Sequence, residues 1–361
     1  MLIKPIKIKK RKQRLFNKFR RKPKSYKFKR KLISLIILFL SLLLIGIILL
    51  RVKMPNRNKI PIAFSLNNNY IYPLIVLLTS ILYNASPRTY YIFYLLLNPD
   101  LMQSNINKIL GIKEKYSNCK INLIHMGKKF SNFSFNRYKS AAVYYRLELS
   151  DLITDFDKII YLDVDTIVHK DLTDMYNIDM GDNYYMGFPD NDILHFKFNG
   201  RRNFINSGVL LINLKKLRKV KAPQLFQEYY KKHGTKKVDE YLINAVFYDK
   251  ISFLPFIYGI PDFGAGSGIS STPSNLARRF QRYVNVTTSE MKYSSENRAI
   301  THNCYELKKW WQRKYNKLTD IGKQWLFYAS KSNVFDDICQ KYDQFKSQCE
   351  KMRKQGNQLF F

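Results

Sequence analysis

From residue 60 to residue 165 short β-rich apolar runs take turns with longer helix-like stretches, and this rhythm leaves few folds open. Ile60-Pro61-Ile62-Ala63-Phe64 reads as a strand, 71–83 as a helix ending before Ser86-Pro87, and Tyr90–Leu97 as a second strand. A helix over roughly 100–115, a strand at Lys120–His125, a helix at 138–152 with Ser140 near its start and a buried strand at Lys158–Leu162 complete the series. Such alternation predicts an α/β protein with a mostly parallel, doubly wound, Rossmann-like sheet. The last of these strands runs into Asp163-Val164-Asp165. That places two carboxylates at a strand's C-terminal edge, where open α/β sheets hold their ligands. Carboxylates at i and i+2 converge on one point when the chain turns, as a divalent cation with oxygen ligands requires. A helix N-cap or a solvated turn is the competing reading of so short a motif.

Beyond Asp165 the pattern is mixed. Tyr184–Phe188 and Phe204–Leu214 read as strands, 222–232 and 239–248 as helices, Ala299–Thr301 as a short strand and 305–330 as helical. Glycines cluster in Gly259–Gly268, a candidate mobile loop. The charged segment 334–353 reads as a peripheral helix.

The N-terminal region has a different logic. Residues 1–31 hold 16 Lys or Arg and no acidic residue, and residues 32–50 then hold no charge at all. Nineteen helical residues rise about 1.5 Å each and nearly span a hydrocarbon core of roughly 30 Å. No small-residue cleavage site follows, since Arg51-Val52-Lys53-Met54-Pro55 comes next, so an uncleaved anchor is expected rather than a signal peptide. The basic excess before the span predicts a cytoplasmic N-terminus and a lumenal remainder, a single-pass type II protein of the Golgi or ER membrane. The expected organisation is a basic tail at 1–31, an anchor at 32–50, a stem at 51–59, a catalytic domain at 60–335 and a charged C-terminal segment at 336–361.

A formal charge of +35 suggests nucleic acid. Without the 16 tail charges, residues 32–361 still carry +19, but no interleaved aromatic and basic pattern or recognition motif accompanies it, so no nucleic-acid partner is expected. The four cysteines, Cys119, Cys304, Cys339 and Cys349, form no C-x-x-C pattern, which argues against structural zinc. Cys339 and Cys349 could be bridged or free. Three sequons begin at Asn84, Asn132 and Asn285 and agree with a lumenal domain.

Four segments carry candidate chemistry. Ser65, Asn67, Asn69 and Tyr70, after the first strand, offer donors, acceptors and a stacking ring to a base and ribose, or else a turn with an N-cap. Arg146 could pair with a phosphate or an aspartate, or sit on the surface. Asn206-Ser207-Gly208 breaks a buried strand and suggests close backbone approach to a ligand. His302 could complete a metal site or be structural, and Lys308 could reach a phosphate.

Together these segments resemble glycosyltransferase family 8, the retaining nucleotide-sugar transferases with a GT-A fold. The resemblance covers about residues 60–315. It rests on Tyr161-Leu162-Asp163-Val164-Asp165, Tyr145-Arg146-Leu147-Glu148-Leu149, Asn206-Ser207-Gly208-Val209-Leu210-Leu211-Ile212-Asn213-Leu214, and on His302, Lys308 and Trp310 at the H, K and W positions of an H-x-x-G-x-x-K-P-W motif. It implies a smaller mixed acceptor-side sheet, C-terminal helices and Mn²⁺ held by Asp163, Asp165 and His302. It also implies a UDP-sugar donor bound by Ser65, Asn67, Asn69, Tyr70, Arg146, Asp163, Val164, Asp165, Asn206, Ser207, His302 and Lys308, with Asp239 and Glu240 as the catalytic pair. The acceptor would be a glycan or glycoprotein, the transferred sugar a hexose or pentose (glucose, galactose or xylose).

Three departures from the family pattern stand out. Asn67 replaces an Asp, Glu240 replaces the Gln of D-Q-D-x-L-N in Asp239-Glu240-Tyr241-Leu242-Ile243-Asn244, and Tyr305 and Lys309 replace the Gly and Pro of the His motif. They motivate an alternative, an inactive GT-A pseudoenzyme that binds UDP or glycan as a subunit of a complex.

Overall fold

The computed structural model describes residues 32–43, 57–133, 140–189, 204–233, 239–261, 272–281, 284–302 and 320–354. Residues 1–57 and 58–361 form separate units. In the first unit residues 32–43 are helical, with their large apolar side chains exposed. Positions 44–50 of the expected anchor lie outside the described residues. Among the described residues no helix is long and apolar enough to cross a membrane.

The second unit is built on a seven-stranded sheet. Its strands are β1 (Asn58–Leu66), β2 (Thr89–Leu97), β3 (Cys119–His125), β4 (Ile159–Leu162), β6 (Tyr185–Pro189), β7 (Ile205–Ile212) and β8 (Ile251–Phe253), in the order β3-β2-β1-β4-β7-β6-β8. β3, β2, β1 and β4 run parallel, and β7 pairs antiparallel with both β4 and β6. The period-two geometry of a strand sorts side chains between two cores. Ile60, Ile62, Phe64 and Leu66 of β1 and Tyr91, Phe93, Leu95 and Leu97 of β2 face one core. Ala63, Ile92, Tyr94 and Leu96 face the other. Both faces of the sheet are therefore covered, which is why these strands read as continuous apolar runs.

On the first face lies the Ile71–Tyr83 helix, buried over 11 of its 13 residues. A helix apolar on all sides has no solvent face and must be enclosed. Each fully buried Leu, Ile or Val there contributes about 1.5–3 kcal/mol. Asp320–Lys331 packs beside it, and the 334–353 segment joins the same core. That segment forms two helices, Phe335–Lys341 and Lys346–Lys354, bridged by a Cys339–Cys349 disulfide, with Ile338, Phe345 and Met352 buried. Its charges lie on one side of each helix only, so it is not peripheral.

A small mixed sheet, β5 (Thr166–Val168), β10 (Ile300–His302) and β9 (Ile260–Pro261), stands beside the large one. Ser80 and Asn84 fasten it to the Ile71–Tyr83 helix. The Ser80 hydroxyl accepts from Val168 N–H at 3.1 Å, and Asn84 Nδ2 donates to Val168 O at 3.0 Å.

Two elements differ from the sequence expectation. Of the 138–152 helix, Ala141–Glu148 is a 3₁₀ helix and only Leu149–Leu152 is α-helical. Three residues per turn align positions i and i+3, which turns Val143 and Arg146 toward the same cavity. The strand expected at 204–214 stops at Ile212, because Asn213 Oδ1 accepts from Lys216 N–H and starts a helix at Leu214. Most of the Gly259–Gly268 loop and residues 305–319 of the expected last helix lie outside the described residues.

Candidate active site

The strand order reverses direction between β1 and β4, and the crevice at such a switch point is where open sheets bind ligands. Ser65, Leu66, Asn67 and Tyr70 enter it from the end of β1, and Asp163, Val164 and Asp165 from the end of β4. Because β7 runs antiparallel to β4, with Leu162 opposite Val209, the start of β7 delivers Asn206 and Ser207 to the same place. His302 arrives through the small sheet. It ends β10, lies opposite Thr166 in β5 and so reaches Asp165.

The three expected metal ligands converge. One ligand atom from each of Asp163, Asp165 and His302 falls within 4.8 Å of the others. His302 Nε2 is 3.3 Å from Asp165 Oδ1 and 3.8 Å from Asp163 Oδ2. Neighbouring ligands on an octahedral ion at about 2.1 Å stand roughly 3 Å apart, so the set fits a divalent cation with slight closure. Gly208 makes the room. A Cβ there would overlap His302 Cε1 and stand 2.7 Å from both Asp163 Oδ2 and His302 Nε2.

Charge points the same way. The described lining includes Asp163, Asp165, Asp239 and Glu240 against the single guanidinium of Arg146. So acidic a lining attracts a cation.

Arg146 is the hub of the cavity floor. Nη2 donates to Asp163 Oδ1 at 2.8 Å, Nη1 donates to Ser207 O, and the guanidinium lies 4.2 Å from the Tyr161 ring centroid. Nε stands 3.0 Å from Asp239 Oδ2, an ion pair whose N–H is not aimed for a hydrogen bond. Burial opposes the charge of Arg146, but Asp163 and then Asp239 outweigh it and raise its pKa. Burial raises the Asp239 pKa, Arg146 pulls it down, and Asp163 adds to the rise.

Glu240 is held with equal definition. Its Oε2 accepts from Asn206 Nδ2 and from Ser207 N–H, both at 3.0 Å. Asn206 Oδ1 in turn accepts from Gly208 N–H at 2.9 Å. Among the described residues the buried His302 Nδ1 has no hydrogen-bond partner, while Arg146 Nε and Asp239 Oδ2 meet only as an ion pair.

Twelve of the fourteen residues expected from the sequence line this cavity. Asn69 stands apart from the others. Its side chain is exposed and does not line the cavity, while its N–H donates to Asn67 Oδ1 at 3.0 Å in the turn after β1. The Asn67 side chain is thus both the N-cap of this turn and a wall of the cavity. Lys308 lies outside the described residues, as do Tyr305, Lys309 and Trp310. Sequence reasoning missed Leu66, Ser140, Ala142, Val143 and Tyr161 in the lining. Asn244, read in the sequence only as the last position of Asp239–Asn244, is fully buried behind the cavity.

An α/β sheet with this order, a D-x-D turn at its switch point and a histidine brought in by a second sheet together make a GT-A-like fold with a candidate metal site. The chain belongs to glycosyl transferase family 8, whose family model matches residues 61–314. Among solved structures it is similar to the galactosyltransferase LgtC in complex with donor and acceptor sugar analogs, at 23% identity and a TM-score of 0.59 over 76% of this chain and 96% of that one. It is similar to the bifunctional glycosyltransferase WbbM at 17% identity and a TM-score of 0.63, covering 78% of this chain and 51% of WbbM. The glycosyltransferase GlyE of Streptococcus pneumoniae TIGR4 matches at 21% identity and a TM-score of 0.52, over 81% of this chain and 64% of that one. No curated protein matches the chain.

Proposed function

We propose that this protein is a membrane-anchored, retaining, Mn²⁺-dependent glycosyltransferase that moves a hexose or pentose from a UDP-sugar to a glycan or glycoprotein. The observation that carries the reading is the Asp163–Asp165–His302 cluster at the switch point, beside the Arg146-organised carboxylates. A divalent ion held by those three residues supplies Lewis-acid neutralisation of the departing diphosphate.

The chain's own residues do the rest. Arg146 keeps Asp163 turned toward its partners and holds Asp239 against the base of the crevice. The Asn206 amide and the Ser207 N–H fix the Glu240 carboxylate in one orientation, facing the cavity where the donor sugar would lie. Ser65, Asn67 and Tyr70 form the wall assigned to uridine, and Asn67 accepts there through an amide oxygen rather than a carboxylate. Lys308 is assigned a second contact to the diphosphate on family resemblance alone. Configuration is retained whether the acceptor hydroxyl attacks on the leaving-group face or Glu240 first forms a glycosyl ester.

The basic tail, the uncharged run at 32–50 and the Cys339–Cys349 disulfide support a type II lumenal placement, since such bridges persist in oxidising compartments.

Full-length protein in detergent should hydrolyse one member of a UDP-sugar panel with Mn²⁺, lose that activity on chelation and recover it on Mn²⁺ return. Asp165→Ala should not recover. Tight Mn²⁺ and UDP binding with no turnover of any donor would instead identify a non-catalytic subunit, the reading that Glu240 in place of a glutamine favours.

A further inference from the structure

The three sequons of the chain differ sharply in their surroundings. Asn84 caps the Ile71–Tyr83 helix and is half-buried. Its Nδ2 donates to Ser80 O at 2.9 Å and Val168 O at 3.0 Å and lies 2.9 Å from Tyr328 Oη. That nitrogen is the atom an N-linked sugar would occupy. A glycan there would break the contacts that tie the helix to β5 and to the Asp320–Lys331 helix.

Asn132 and Asn285 are exposed, the first in a turn and the second in irregular chain before the Thr288–Glu296 helix. Among the described residues Asn132 Oδ1 accepts only a long contact of 3.5 Å from the Ser131 hydroxyl. Among the described residues neither amide nitrogen has a partner. The Thr287 hydroxyl of the third sequon is occupied by Glu290, but only once the helix has formed. It is open in the nascent chain, where sequons are read.

We propose that Asn132 and Asn285 are N-glycosylation sites and that Asn84 is unmodified in the folded protein, an inference resting on the lumenal placement proposed above. The reaction joins C1 of a lipid-diphosphate-linked oligosaccharide to the amide nitrogen. The amide loses a proton, and the lipid diphosphate departs. Transfer precedes folding, so all three sequons are chemically open at first, and a chain modified at Asn84 cannot complete the fold.

The test is full-length protein expressed in cultured eukaryotic cells with an added sequon-bearing tag at the C-terminus, treated with peptide N-glycosidase. Three mobility steps are expected, with Asn132→Gln and Asn285→Gln each removing one. Mass spectrometry of the folded wild-type protein should find Asn-to-Asp conversion at 132 and 285 and none at 84, which avoids reliance on an Asn84 variant that misfolds. A glycosylated tag with Asn132 or Asn285 unmodified overturns that site, and a glycan at Asn84 overturns the selection by the fold. An unmodified tag overturns the inference together with the lumenal placement.

Discussion

Asn244 holds Ile205 by both of its backbone groups: the side-chain oxygen accepts the Ile205 N–H at 2.8 Å, and the amide donates to the Ile205 carbonyl at 2.8 Å. The same amide donates to Glu240 O at 2.7 Å. One fully buried side chain thereby fixes the Asp239–Val246 helix, which carries Asp239 and Glu240, against the strand that carries Asn206 and Ser207. Asn244→Ala should destabilise the domain by about 1–3 kcal/mol, because it strands buried polar groups. Urea unfolding measures the loss, and Asn244→Ser should leave part of it.

Gly208→Ala should displace the candidate metal ligands directly. Gly208 is not in the left-handed region, so alanine suits its backbone, but the added carbon intrudes on His302 and Asp163. Calorimetry should show Mn²⁺ affinity falling at least about tenfold, the order seen when ligand positioning is disturbed. The melting temperature should fall as well, because the added carbon is forced into a buried contact.

Arg146→Lys should behave as a severe change. A lysine cannot span Asp163, Asp239 and Ser207 O together, and its loss of geometry leaves Asp239 buried with 4% side-chain exposure. Breaking a buried pair costs about 3–5 kcal/mol. Denaturant midpoints should register it, and Asp163→Asn should cost less because that carboxylate is 30% exposed.

Acid should weaken the fold through His169. Burial, with Arg298 adding to it, lowers its pKa to about 4, and its Nε2 sits 2.9 Å from Thr301 Oγ1 beside the β10 strand. In the unfolded chain the same imidazole takes its proton near pH 6.5. Between these values the unfolded state binds more protons, so this contribution is complete above about pH 6.5 and is lost as pH falls toward 4. Urea midpoints at pH 7.5 and pH 5.0 should differ less in His169→Gln than in the wild type.

Much of the site was legible because its chemistry is written in short local strings. Asp163-Val164-Asp165 and Asn206-Ser207-Gly208 break apolar runs with polar residues at strand ends, where the backbone meets a ligand. Asn69 looked equivalent to Asn67, since both are amides in one turn, and only the capping hydrogen bond tells them apart. Tyr161 and Val143 read as core because their neighbours are core, yet both line the cavity, Tyr161 with its ring centroid 4.2 Å from the Arg146 guanidinium. Asn244 looked like one polar position on a helix. Its role exists only through Ile205, which is distant in sequence.

The order of elements from β1 to β4, the enclosed character of the sheet and the basic, uncharged and mixed stretches of the chain were determined by the sequence, because strand period, helix length and charge are local properties. Tertiary structure decided which segments meet. The antiparallel entry of β7 beside β4 and the pairing of β10 with β5 depend on long-range hydrogen bonds and packing that no window of neighbouring residues encodes. Those two pairings, and not any motif, carry His302 and Ser207 to the carboxylates of Asp163 and Asp165.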